Sequence, residues 1–415
     1  MACVAILGAG PAGLIGAEFL AGAGHTITVY DQMASAGRKF LLAGRGGLNL
    51  THSEAAGPFA ARYAEAAPWM AKALADYPPA ALVAWCEGLG QPTMVGSSGR
   101  VFPRAFKAAP LLRAWLRRLD GLGVRFAPRH RWLGWTVGGG LHFAKTDIGE
   151  ATERADATLL ALGGASWPRM GSDGGWVPVL RGRGVHVAPL RASNCGVDIA
   201  WSRPFLARHE GQPLKRVIMS CGGEQARGDA VITRAGLEGG PAYALSAPIR
   251  RALDAGGPAV LTVDLRPDLP AEVMAIRVDG ERRGRSLANH LRQQAGLSPE
   301  AVGVLQEAIH ACGPPERLST LIKAVPLVVA GLQPVARAIS SAGGIARHEL
   351  DSRLMLRRLP GVFAAGEMLD WEAPTGGYLL QGCFSTGVRA ARGIDAWLGD
   401  QAAGGGDARL VSNSA

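Results

Sequence analysis

The chain has 415 residues, 48% of them apolar and 19% charged. That length fits about two or three folded domains, and the balance excludes a disordered or collagen-like chain. The net charge of +10 rests mostly on arginine, with lysine at only six positions, and reads first as a solvated surface and second as a nucleic-acid footprint.

The most informative stretch comes first. An apolar run from Ala2 to Leu7 ends in Gly8-Ala9-Gly10-Pro11-Ala12-Gly13, and a second, Thr26 to Tyr30, ends in Asp31. This reads as a strand–turn–helix–strand unit whose pattern suits a dinucleotide. Gly8 permits the tight turn, Gly10 leaves room for a pyrophosphate, and Gly13 lets the helix pack close to the sheet. The helix starts at Pro11, which has no N–H of its own, and from Ala12 on it offers free N–H groups and a positive dipole end to the phosphates. Asp31 can accept from ribose hydroxyls.

Ala108 to Leu122 has leucines at helical spacing, and Gly123 to Phe126 reads as a short parallel strand. Leu133 to Ala144 reads as a hairpin turning at Gly138-Gly139-Gly140. Thr158 to Leu162 is a buried strand whose turn, Gly163-Gly164, lies where nucleotides pass. From about Leu190 to Leu269, short apolar runs separated by Gly, Pro and Asp predict a β-rich insert. Residues 270–338 predict a helical insert, with a helix starting at Ser298-Pro299-Glu300. A strand at Pro360–Ala365 then leads into Gly366-Glu367, and a long helix opens at Gly376-Gly377-Tyr378 and runs to Leu398. The expected organisation is therefore a cofactor-binding domain over 1–189, a β-rich insert over 190–269, a helical insert over 270–338, a return segment over 339–398 and a disordered tail over 399–415.

The late strand–turn–helix decides which dinucleotide. In a doubly wound fold that holds FAD, Gly366, Glu367 and Asp370 would lie along the ribityl chain. A helix starting at Gly376-Gly377 would aim its positive end at the flavin. No second glycine fingerprint is present, so NAD(P)H is expected only as a transient electron donor.

The six cysteines (Cys3, Cys86, Cys195, Cys221, Cys312 and Cys383) form no CxxC pair, and no histidine cluster has metal spacing. No metal is expected, and a reducing compartment is. The first residues lack a basic leader and Glu18 interrupts them, so no signal peptide is read there. No stretch approaches the ~18 apolar residues of a membrane span. A cytoplasmic protein without a membrane partner is expected.

Several motifs together resemble the BaiN-like flavoprotein family of NAD(P)/FAD-dependent oxidoreductases. They are Gly37-Arg38-Lys39 through Asn49-Leu50-Thr51, Gly99 to Pro103, Ala161 to Pro168, Gly343-Gly344, Gly366 to Asp370, and Thr375 to Gln381. The resemblance spans residues 1–398. It implies an α/β, Rossmann-like two-dinucleotide-type FAD fold, interrupted by a β-barrel-like insert and a small helical insert. It also implies FAD contacts at Arg38, Lys39, Asn49, Tyr378 and Gln381 beside the glycines and acids above. In one place the chain departs from the family: Gly47-Leu48-Asn49 stands where an Arg-Cys-Asn triplet is usual. The arginine is displaced to Arg45 and the cysteine is missing.

The family implies reduction of an activated C=C bond, with hydride from the flavin and a proton from a nearby donor. The candidate proton donors are Tyr378, His52, Cys383 and water. Arg45, Arg100 and Lys107 could bind an anionic substrate. Arginine clusters at 125–131 and 277–292 suit ribosomal RNA, whose uracil ring is the first expected substrate. A small enone-type metabolite is the second, and a non-catalytic flavin-containing RNA-binding or assembly protein is the third reading.

Overall fold

The computed structural model describes residues 1–410 apart from residues 45, 146–148 and 283, and residues 404–410 by their backbone only. Two compact units emerge, Met1–Arg191 with Ser340–Ala415, and Ala192–Ile339.

The first unit is built on a parallel sheet. Its strands are β1 (Cys3–Leu7), β2 (Thr26–Asp31), β5 (Arg125–Pro128), β6 (Ala157–Leu160) and β7 (Val362–Ala364), in spatial order β7-β6-β1-β2-β5. Between β2 and β5 in the chain come β3 (Thr51–His52) and β4 (Arg100–Pro103), which pair antiparallel in a small side sheet. Helix α1 (Pro11–Gly22) follows β1, α2 (Arg38–Ala43) follows β2, α3 (Ala108–Gly121) precedes β5, and α4 (Tyr378–Leu410) follows β7. Strands β1, β6 and β7 are short apolar runs because they are packed over: α1 and α4 lie on this sheet, and the antiparallel strands that follow β5 pack against it, with Tyr30 stacked on Phe143 at 4.6 Å.

The register places the site. Leu7 lies opposite Leu160 and Tyr30, and Leu160 lies opposite Ala364. The loops after β1, β2, β6 and β7 therefore leave the sheet at one edge. The chain order reverses beside β1, which is where open α/β sheets bind ligands. Helices α1 and α4 pack closely: a Cβ on Gly387 would sit 2.6 Å from Ala12 O. Glu18, which interrupts the first apolar helix, accepts from the buried indoles of Trp85 and Trp115 at 2.9 and 2.7 Å. A buried acid is tolerated there because it is hydrogen-bonded. The expected hairpin forms from His130–Trp135 and Leu141–Lys145, and a third strand, Gly149–Glu153, extends it.

The second unit holds a seven-stranded antiparallel sheet. Its two outermost positions are taken by Val325–Val329 and Gly331–Leu332, consecutive in the chain. The first pairs with Ala259–Val263 and the second with Val197–Asp198, so one length of chain closes the sheet on itself. The two ends of the sheet are thus held together by one continuous length of chain.

That strand corrects the expected helical insert over 270–338. Helices Ala271–Val278, Pro299–Cys312 and Leu318–Lys323 are present, but Val325–Leu332 returns to the sheet. The β-branched run tolerates Pro326 because the strand Val325–Val329 pairs on one side only. Strands and helices share one core that includes Leu261, Met274, Leu305 and Val325. The expected tail is corrected in part. Helix α4 continues past Leu398 to Leu410, and Arg353 Nη1 holds Asp400 Oδ2 at 2.7 Å. Residues 411–415 lie outside the described residues.

Candidate active site

The three fingerprint glycines occupy three different environments. Gly8 has φ +108°, and a Cβ there would lie 2.2 Å from Ala161 O. A Cβ on Gly13 would lie 2.0 Å from Gly8 O, so that glycine sets the approach of α1 to β1. A Cβ on Gly10 would meet nothing within 4 Å. Only Gly10 faces open space, and it is the N-cap of a helix that no side chain caps. The unpaired N–H groups of such a start need a partner, and a phosphate is a suitable one.

Asp31 closes the far side of this loop. Its Oδ2 accepts from Ala9 N and its Oδ1 from Met33 N, both at 2.7 Å. Burial pushes its carboxyl above the usual range, against those two N–H bonds and the Arg38 guanidinium. Lone pairs remain for a ribose hydroxyl. Arg38 Nε and Asn49 Oδ1 are buried and lack a partner among the described residues. Buried polar atoms are rarely left unpaired, so these two mark where an absent group belongs.

Lys39 and Glu367 meet across the strand ends. Lys39 Nζ lies 2.7 Å from Glu367 Oε2 and donates to Ser166 Oγ at 2.8 Å, while Glu367 Oε1 accepts from Ser341 N at 2.8 Å. Ser166 lies in the motif Ala161 to Pro168 but has no role assigned from sequence, and Ser341 lies in none of the motifs. Gly366, at φ +76°, packs against Ala12, where a Cβ would lie 2.9 Å from Ala12 Cβ. The late turn thus rests on the helix of the first one. Gly163, at φ +74°, borders Ser172 and accepts from the Trp176 indole at 2.8 Å. Burial, then the nearby Glu372 and Glu65, raise the Asp370 carboxyl. Arg45 lies outside the described residues.

The remaining predicted residues are placed otherwise. Gln381 is fully buried, with Oε1 accepting from Thr51 Oγ1 at 2.7 Å and Nε2 donating to Tyr77 O and Ser385 Oγ at 2.8 and 3.0 Å. Its amide is engaged by protein partners and acts as an internal strut. Gly377, at φ +107°, sits where a Cβ would strike the Thr51 backbone at 2.5 Å, so it seats α4 on β3. Gly376 lies beside Arg100, whose Nε a Cβ would approach to 3.3 Å.

Two of the three candidate side-chain proton donors, Tyr378 and His52, are hydrogen-bonded within the protein. Tyr378 is buried, stacks on His52 and donates its hydroxyl to Glu54, which also pairs with Arg62. Burial and the Glu54 charge raise the phenol further above its ordinary value. Burial opposes ionisation of Glu54, but hydrogen bonds from Arg62 and Tyr378 outweigh it and hold the carboxyl low. Glu54 is a partner that sequence reading missed, because it lies 324 residues from Tyr378. His52 accepts from Glu54 N at Nδ1, so its proton sits on Nε2 and goes to Ser98 O. Burial and Glu367 push the Cys383 thiol up to about 12.

A pH dependence follows. Burial, then Glu87, also raises Cys86 to about 12, against an ordinary thiol value of 9.0. The folded chain keeps both protons where the unfolded chain releases them. This stability is fully present below about pH 9 and is lost as the pH rises toward 12. The melting temperature is expected to fall on going from about pH 8 to about pH 10.5, less steeply in a Cys86→Ala/Cys383→Ala variant. Equal slopes would exclude the two thiols as the cause.

No group of His, Cys, Asp and Glu among the described residues could hold a metal ion, and no helix there is long and apolar enough to cross a membrane.

The open cradle at Gly10, the orphaned Arg38 and Asn49 atoms and the acid at Asp31 fit a dinucleotide such as FAD. The HI0933-like protein Rossmann domain model matches residues 2–393. The chain belongs to the HI0933-like family. It is a FAD-dependent oxidoreductase with a Rossmann core. It is 25% identical to the 3-dehydro-bile acid delta(4,6)-reductase of Clostridium scindens, over 94% of this chain and 98% of that protein. It is 24% identical to the ribosomal RNA dihydrouridine synthase of Escherichia coli over 60% of this chain, and spans 63% of that protein. Among solved structures, a flavocytochrome c3 fumarate reductase superposes with TM-score 0.54 at 14% identity, covering 95% of this chain and 78% of that one. The 3-ketosteroid delta1-dehydrogenase of Sterolibacterium denitrificans superposes with TM-score 0.51 at 13% identity, covering 95% and 99%. At those identities the two structures speak for the fold alone.

Proposed function

We propose that this HI0933-like chain reduces an activated C=C bond in a small enone-type, steroid-like substrate, with NAD(P)H as electron donor. One observation carries the reading: the bile acid reductase matches end to end, whereas the RNA-modifying relative matches over 60% of the chain. The order expected from the sequence, uracil first and enone second, is thereby reversed.

When bound, FAD supplies the hydride. The chain's own residues bind and orient it. The glycine loop 8–13 and the start of α1 take the pyrophosphate, and Asp31 takes the adenosine ribose. Arg38, Asn49, Gly163, Glu367 and Asp370 line the remainder. Lys39 keeps Glu367 in place through their ion pair. Because His52 and Tyr378 are hydrogen-bonded within the protein and burial holds the proton on the Cys383 thiol, we assign the proton for the second carbon to water.

The test uses the FAD-loaded protein. It is reduced without oxygen by NADH or NADPH, then mixed with 4-androstene-3,17-dione. The expected result is reoxidised flavin and a steroid that has gained two hydrogens. A flavin that stays reduced with the steroid overturns the reading. If a ribosomal RNA fragment then reoxidises it and gains dihydrouridine, the RNA reading replaces it. The exposed Arg277, Arg282, Arg285 and Arg292 would be its docking surface, with binding that weakens steeply as salt rises.

A further inference from the structure

Among the described residues, seven that are not glycine hold φ in the left-handed region. Two of them, Phe106 and Trp167, are also large, apolar and exposed. Each combines two unfavourable choices. The left-handed region costs a side chain with a Cβ, and an exposed ring leaves apolar surface in water. Trp167 adds a third, since it precedes Pro168, which disfavours helical backbone for the residue before it. Strain concentrated on exposed aromatics points to a job that the folded protein alone does not need.

Both residues lie on loops of the cofactor site. Trp167 (φ +57°, 37% exposed) follows Ser166, which is fully buried and holds Lys39 beside Glu367. Its carbonyl accepts from Met170 N at 2.8 Å, which fixes the turn that bears the ring. Phe106 (φ +55°, 44% exposed) covers Gly47, where a Cβ would lie 3.3 Å from its ring. Its carbonyl accepts from Leu48 N, next to the orphaned Asn49. Helix α2 links the two. Lys39 in its first turn reaches Ser166, and Gly44 at its end packs on Ala108, two residues after Phe106. Leu41, in the same helix, is exposed as well.

We propose that Trp167 and Phe106 form a platform for the flat, apolar ring system of the substrate. The proposal rests on the enone reading above and names the residues that would select such a ring. An indole and a phenyl group offer apolar, polarisable faces and no charge, so they suit a fused-ring ketone better than a small dicarboxylate.

The experiment measures binding and stability, not turnover. Oxidised FAD-loaded protein is titrated with 4-androstene-3,17-dione and, separately, with uridine, following the flavin absorbance. Trp167→Gly and Phe106→Gly are each expected to weaken steroid binding by about tenfold or more, while Trp167→Phe stays within about threefold. Because glycine accepts the left-handed backbone, both glycine variants are expected to melt no lower than the parent. Their FAD affinity should stay within about twofold, since neither ring is assigned to the cofactor. Unchanged steroid binding in the glycine variants overturns the platform, as does a parent that binds neither probe. A parallel loss of FAD assigns the rings to the cofactor instead, and a melting temperature lowered by several degrees makes them packing residues. Steroid binding that is indifferent to both rings leaves the enone reading standing without the platform. Uridine binding with the same ring dependence, and no steroid binding, keeps the platform and overturns the enone reading.

Discussion

Gly10→Val is expected to yield a folded but colourless protein, whereas Gly13→Ala is expected to lose stability before anything else. The two glycines lie in one turn, three residues apart, and their surroundings are opposite. Gly10 has an ordinary extended backbone, φ −87° and ψ −179°, and a Cβ there has no protein neighbour within 4 Å. Valine adopts that conformation without strain, so the change in stability is expected to stay within about 1 kcal/mol. Its branched side chain fills the space a pyrophosphate would occupy. FAD affinity should fall by about a hundredfold or more, close to 3 kcal/mol. At Gly13 a Cβ would sit 2.0 Å from Gly8 O and 3.2 Å from Ile6 Cγ2, so α1 must move off β1. Overpacking of this kind costs about 1–3 kcal/mol or more. Urea midpoints and the flavin absorbance of purified protein separate the two. A Gly10→Val protein that keeps its FAD affinity within threefold would remove the pyrophosphate from this turn.

What was legible in the sequence was local. Gly8 to Asp31 is one supersecondary unit, and each glycine has a reason that needs only its near neighbours. The late turn at Gly366 could be placed for the same reason, as a short strand followed by glycine and a helix. The pairings that define the rest of the site are not local. Lys39 meets Glu367 across 328 residues, and Thr51 meets Gln381 across 330. No periodicity in either segment reports the other, so a residue type that can bind a cofactor could not be told from one that binds the protein. Tyr378 and Gln381 show this. They stand in the first turn of α4, and β3 and the segment behind it claim both side chains. The strand at Val325–Leu332 was missed for a related reason. Pro326 argues against a central strand, and only the long-range pairing makes this strand an outer one. The glycine-leucine replacement at 47–48 does have a visible consequence: Phe102 and Phe106 lie over Gly47, which makes an apolar surface there.

The buried hydrogen bonds of Gln381 set the second large effect. Gln381→Leu is expected to destabilise the protein by about 2–4 kcal/mol while leaving FAD affinity unchanged in the folded fraction. Leucine has similar bulk, so the loss comes from polarity. Thr51 Oγ1–H would face leucine with no acceptor in a fully buried setting. Tyr77 O would keep Ser385 Oγ at 2.7 Å, so only part of the network is orphaned. The tie matters because Gly377 rests on the Thr51 backbone, and Thr51–Gln381 is the side-chain bond beside that contact. The decisive variant is Gln381→Leu/Thr51→Val. Removing both ends of a buried hydrogen bond costs less than removing one, because no group is left desolvated and unpaired. The double variant should therefore be more stable than Gln381→Leu alone, despite carrying one more change. If instead the double variant is less stable, the two residues are not coupled. If either variant loses FAD affinity by tenfold or more while its urea midpoint holds, Gln381 serves the cofactor after all, and the strut assigned to it here is wrong.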